Sequence, residues 1–140
     1  INLSKIETSN KSFNIIQDDC VVWLDIRFIP EETNTIVSNL KELLPKGFKL
    51  EVIVNEPAMF VDENNPYLKI LQKVDEQITK KKVSFYGAQG SSDIRHYTQV
   101  NRDGIEFGPI GGGIGSDNEW VDIKSLKQYY QILKVFLLSV

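Results

Sequence analysis

Apolar and polar residues alternate from Cys20 to Phe28. Cys20, Val22, Leu24, Ile26 and Phe28 fall on one side, and Val21, Trp23, Asp25 and Arg27 on the other. A period of two over nine residues predicts a strand with one wholly apolar face, and the extended pattern reaches back to Phe13. Residues 2–8 predict a preceding strand, with 9–12 as its turn. Pro30 breaks the extended run and suits a first helical turn, where its missing N–H costs nothing. Glu31 and Glu32 then stand where the helix dipole favours negative charge. Ile36, Leu40, Leu43 and Leu44 form a helical stripe that Pro45-Lys46-Gly47 stops, and Phe48, Leu50, Val52 and Val54 alternate as a third strand. The first part therefore predicts β-β-α-β, an α+β plan.

Residues 56–66, with two prolines and no periodicity, predict a boundary between lobes. Beyond it, Tyr67, Leu68, Leu71, Val74 and Ile78 mark an amphipathic helix. Residues 83–86 predict a strand, 87–92 a small-residue loop, 93–100 a short helix and 104–107 a further strand. Asp122 is placed to cap a final helix, whose Ile123, Leu126, Tyr130, Leu133, Phe136 and Leu137 are expected to face a core. The second part thus reads as a portion of a layered α/β sheet. Two strands among three helices leave edges unpaired, so the rest of a domain is expected to complete it. The fold class expected for the whole is α/β, divided at residues 1–60 and 61–140.

Composition narrows the function classes. The 140 residues are 41% hydrophobic and 25% charged, the profile of a globular protein large enough for one domain or two small lobes. A net charge of −3 and a pI near 5.2 argue against a nucleic-acid or anionic-membrane surface. Lys80-Lys81-Lys82 reads as a solvated helix end in preference to a phosphate patch. The lone Cys20 excludes an internal disulfide, fits a reducing cytoplasm, and in its apolar run is expected to be a buried thiol. No apolar run approaches the roughly 18–20 residues of a membrane span. The opening INLSKIETSN has neither Met nor a signal-peptide layout, so the chain reads as part of a longer product.

Most of the candidate chemistry is excluded by spacing. The five glycines between Gly108 and Gly115 lack the Lys-Ser/Thr of a phosphate loop and any dinucleotide fingerprint, so a mobile or ligand-shaping loop is the better reading. Gly90-Ser91-Ser92-Asp93 has the makings of a helix N-cap at Ser91 or Ser92. A serine triad with His96, the sole histidine, would have to be built from one helical turn, which gives poor geometry. Glu119 and Asp93 are metal-ligand types, yet no H-x-D or H-E-x-x-H spacing accompanies them. Arg27 remains, either as a carboxylate clamp or as a surface ion pair with Asp25.

Several segments carry a resemblance when taken together: Asn14-Ile15-Ile16-Gln17 with Asp25-Ile26-Arg27, then Gly90-Ser91-Ser92-Asp93-Ile94-Arg95, Glu106-Phe107-Gly108-Pro109 and Asn118-Glu119-Trp120-Val121. In this order they resemble the dinuclear-zinc amidohydrolases and peptidases that include acetylornithine deacetylase, succinyl-diaminopimelate desuccinylase, aminoacylase and glutamate carboxypeptidase. The resemblance implies that residues 1–60 are the second half of a lid that also dimerises, and 61–140 the end of a catalytic domain. It also implies that Asn14 supports the oxyanion of the scissile carbonyl, that Arg27 grips the substrate carboxylate, and that Arg95 lies near it. Ser91 keeps the hydroxyl of the family's usual Thr. Two zinc ions would serve the complete enzyme, acting on an N-acylated amino acid or small peptide.

The chain departs from that pattern in ways that matter. The position of a metal-binding His, three residues before Asn118, is Gly115. The family's other ligands and its general-base Glu belong to sequence upstream of anything present here. The expectation is therefore a C-terminal portion of a zinc-dependent deacylase or carboxypeptidase, cytoplasmic and homodimeric through its lid, without a metal centre and inactive alone. The alternative is a degenerate, non-catalytic binding or dimerising relative.

Overall fold

The computed structural model describes residues 1–100 and 102–140. The chain divides into two compact units, Ile1–Ala58 and Met59–Val140, the division falling inside the proline-bearing segment 56–66. Its helices and small antiparallel sheets place it in the mixed α/β class.

In the first unit β1 (Asn2–Glu7) pairs antiparallel with β2 (Val21–Asp25). The register sets Leu3 opposite Leu24 and Ile6 opposite Val22, so the four share one face although Leu3 and Ile6 are three apart. A bulge at Ser4 resolves the odd spacing, and the Ser4 hydroxyl donates to the Trp23 carbonyl at 3.0 Å. On the opposite face Lys5 lies 5.8 Å from the Trp23 ring and pairs with Glu7, which accepts the indole N–H of Trp23 at 3.4 Å. A 3-10 turn follows at Pro30–Glu32, opened by Pro30 as expected, and then α1 (Ile36–Leu43). Ile36, Leu40 and Leu44 are partly covered, whereas Leu43 faces outward at 79% exposure.

The first unit differs from its sequence pattern at three places. The strand expected over 13–28 contracts to β2, because residues 8–20 form a connecting loop held by their own polar side chains. The third strand at 48–54 does not form; its residues alternate but are paired in no sheet. Cys20 is exposed rather than buried, since the apolar sheet face it would join has no covering layer within the unit. No residue of this unit is fully buried.

The core sits in the second unit. Asn65 caps α2 (Pro66–Thr79), its side-chain oxygen accepting from the Tyr67 and Leu68 amides, and Pro66 occupies the first turn. Lys80 ends the helix in the left-handed conformation, φ 58°. Leu68, Leu71 and Val74 are the buried stripe of α2, and Leu71 and Val74 pack against Ile132 of α4 (Ile123–Leu137), with Ile105, Phe107 and Phe136 around them. Phe107 also meets Tyr129 with ring centroids 5.4 Å apart. Asp122 caps α4 as its position predicts, accepting from the Ser125 amide at 2.6 Å.

Here too some expectations give way. The segments 83–86 and 104–107 form no strand and lie in no ladder among the described residues. Val83 is bonded instead by α2 side chains, its carbonyl by Gln72 (2.8 Å) and its amide by Glu76 (3.0 Å). The helix expected over 93–100 is one turn, α3 (Arg95–Thr98), with no side-chain cap; Ser92 Oγ accepts from the Ile94 amide instead. A hairpin that sequence did not predict pairs β3 (Gly111–Gly112) with β4 (Trp120–Val121). Finally, α4 buries Ser125 and Ile132, while Ile123, Leu126, Tyr130 and Leu137 are exposed. The expected stripe is two faces, of which one is covered within the unit.

Candidate functional site

Each unit contributes its own candidates. In the first, Asn14 lies exposed in a turn of the long β1–β2 loop. The loop is braced on both sides of it. Asn10 accepts from the Ser12 amide (2.8 Å) and donates to the Ile15 carbonyl (2.6 Å), while the Ser9 hydroxyl donates to Asp19 (2.8 Å). Asx and Ser side chains thus hold a loop that presents a neutral amide to solvent.

Arg27 follows the end of β2, and its Nε and Nη2 both donate to Oδ2 of Asp25, at 3.2 and 2.8 Å. Both side chains are about half exposed, so this is the surface ion pair anticipated from the alternating face. Two of the five guanidinium N–H groups are thereby engaged by Asp25. The pair aims the fork without occupying all of it.

In the second unit Ser91 is exposed and Arg95 partly covered. Arg95 Nη1 donates to the Ser92 carbonyl at 2.8 Å and approaches Asp93 at 3.4 Å. Arg95 is therefore folded onto the turn that carries Ser91. The apolar cleft between α2 and residues 103–105, lined by Leu68, Leu71, Ile105 and Phe136, contains none of the candidates; its rim is tied by Asn65 donating to Asp103 at 2.8 Å.

The hairpin around Gly115 is the part that sequence reasoning missed. Gly111 and Gly112 run beneath Trp120: a Cβ at Gly112 would stand 2.9 Å from the indole nitrogen, and one at Gly111 2.7 Å from the Trp120 carbonyl oxygen. The signal was the glycine run with a Trp a few residues on, where close backbone approach requires glycine. Ser125 ties this hairpin to α4. Its buried hydroxyl accepts from the Ile110 amide (2.9 Å) and donates to the Asp122 carbonyl (2.8 Å), and the Asp122 amide donates to the Ile110 carbonyl (2.8 Å).

The donor set does not fit zinc. Among the described residues no group of three or more His, Cys, Asp or Glu side chains converges to hold a metal ion. Gly115, at the position the resemblance gives to a histidine, has no ligating side chain, and Glu119 turns back to accept its amide N–H at 3.1 Å.

Comparison with known proteins places these residues in a family. The model of peptidase family M20/M25/M40 matches residues 6–139. The chain is 23% identical over 141 residues to a succinyl-diaminopimelate desuccinylase of Hydrogenovibrio crunogenus, covering 98% of this chain and 37% of that protein. It is 26% identical over 134 residues to a succinyl-diaminopimelate desuccinylase of Buchnera aphidicola subsp. Baizongia pistaciae, covering 91% of this chain and 34% of the relative. The chain thus spans about a third of the length of the curated relatives it matches. No solved structure matches it significantly. With the match running through both units, the chain belongs to peptidase family M20/M25/M40.

Proposed function

We propose that this chain is the substrate-gripping, C-terminal portion of a zinc-dependent hydrolase that cleaves the amide bond of N-acylated amino acids or small peptides. The family match across residues 6–139 carries this reading. The first unit serves as half of a lid that also dimerises, and the second as the end of the catalytic domain. Arg27 binds the substrate carboxylate with the guanidinium N–H groups that Asp25 leaves free, giving a charge-assisted and orientation-selective contact. The Asn14 amide, held out on its braced loop, donates to the carbonyl oxygen on which charge develops during cleavage. Ser91 and Arg95 add polar contacts at the α3 turn. These residues bind and orient; the metal ligands and the general base belong to sequence outside this chain. A lone thiol suits a reducing cytoplasm.

The test is reconstitution. Coding sequence upstream of Ile1 is expressed with this chain, and hydrolysis of an N-acyl amino acid is assayed with zinc. Amide cleavage that neither part gives alone supports the reading, and no cleavage counts against it. Gly115 favours a second reading, a non-catalytic dimerising or binding relative. A self-associating full-length product that retains no zinc and cleaves nothing would select it.

A further inference from the structure

The loop between β3 and β4 is closed by its own backbone and two side chains. Gly113 and Gly115 take φ of +69° and +77°, the left-handed region that lets the chain reverse direction within a few residues. The Ser116 amide and hydroxyl both donate to the Gly113 carbonyl, at 2.9 and 2.7 Å. Ser116 in turn accepts the Asn118 amide on its hydroxyl (3.3 Å) and the Glu119 amide on its carbonyl (3.1 Å). Across the loop, Glu119 Oε2 accepts the Gly115 N–H at 3.1 Å, a charge-assisted bond to a backbone donor.

We infer that Glu119 is a positioning residue, a latch that closes this loop on the Gly115 amide, and that the hairpin supplies no ligand to a divalent metal. The resemblance implies a metal-binding side chain at position 115; the backbone there bears none and is held in a conformation that L side chains rarely adopt. Space is not the obstacle, since no atom lies within 4 Å of where a Cβ would be. Conformation is. A histidine installed at 115 would have to bear the strain of that left-handed backbone, or re-form the turn and with it the latch, before it could reach a metal. The inference rests on family membership and holds under either reading of function, so a failed reconstitution leaves it standing.

Nuclear magnetic resonance of the 140-residue chain tests it without an activity assay. Glu119→Ala is expected to speed hydrogen exchange of the Gly115 amide roughly five-fold, the equivalent of losing one net hydrogen bond. Glu119→Gln keeps an acceptor oxygen and is expected to hold the exchange near the wild-type rate. Zinc chloride alone, titrated to excess, is expected to leave the amide signals of residues 113–119 unmoved in the wild type. Unchanged exchange in Glu119→Ala would overturn the latch. Stoichiometric zinc-dependent shifts of those amides, lost in Glu119→Ala, would overturn the statement about ligands.

Discussion

At the scale of single residues, several polar contacts make separable predictions. The Arg27–Asp25 pair is exposed, and exposed pairs contribute little to stability. Arg27→Ala should therefore change unfolding free energy by less than about 1 kcal/mol. In the reconstituted protein it should nevertheless abolish calorimetric binding of an N-acyl amino acid; binding that survives would remove Arg27 from the site. Asp122 and Ser125 are different in kind. Asp122→Ala forfeits a helix cap and should cost about 1 kcal/mol in urea denaturation. Ser125→Ala leaves the Ile110 amide without its acceptor and should cost about 1–3 kcal/mol. Glu7 titrates in a measurable direction. The hydrogen bonds from Lys5 and Trp23, together with the charge of Lys5, hold its carboxyl below the usual carboxylate range. A value depressed in the folded state means its contribution is present above the unfolded value and lost as pH falls through the folded one. Carboxyl carbon shifts should show that low titration, and Glu7→Gln should flatten the acid loosening of the β1–β2 hairpin; an ordinary Glu7 titration would contradict the cluster. Cys20 was legible as a lone thiol but not as an exposed one, because exposure depends on whether a layer covers the sheet. A thiol reagent should modify it in the native protein.

Among elements, the helices were the most legible. The periodicity of Leu68, Leu71 and Val74 and the Asp122 cap are local signals that were read; the Asn65 cap and the Pro66 start are equally local and were passed over as part of the boundary segment. Strands 48–54, 83–86 and 104–107 were misjudged for a physical reason: alternation defines a face, while a ladder needs a neighbouring strand. Val83 shows what happens without one, its backbone satisfied by Gln72 and Glu76 instead. The β3–β4 hairpin showed no alternation for the converse reason, and its only signal was the glycine run before Trp120. Its strands are two residues long, one of them only glycine, and so have no side-chain pattern to read. What glycine supplies there is approach. Gly112→Ala should push against the Trp120 indole and Gly113→Ala adds a Cβ at φ +69°, 2.9 Å from the Asn118 carbonyl oxygen. Each should destabilise the hairpin by about 1 kcal/mol or more, read as accelerated exchange of the Ile110 and Asp122 amides. A neutral Gly113→Ala would mean the turn is not held as described.

For the whole molecule, the distribution of apolar surface matters most. The core is a few side chains between α2 and α4, while the sheet face of Leu3, Ile6, Val22 and Leu24 and the outer face of α4 stay exposed. Surfaces of that kind on a helix and a sheet are ordinarily covered by another layer. This chain on its own should therefore bind a hydrophobic dye such as anilinonaphthalene sulfonate, and the reconstituted protein should bind less. The candidate residues, and Asp25 as a partner for Arg27, were legible in the sequence, whereas Glu119 as the partner of the Gly115 amide emerged only from the fold. The central claim is that these residues grip the substrate of an amide hydrolase completed by upstream sequence. The most direct measurement is the rate of N-acyl amino acid cleavage by the reconstituted protein with zinc, compared between wild type and Arg27→Ala. Cleavage by the wild type and loss in the variant is the result predicted; no cleavage, or cleavage indifferent to Arg27, would contradict it.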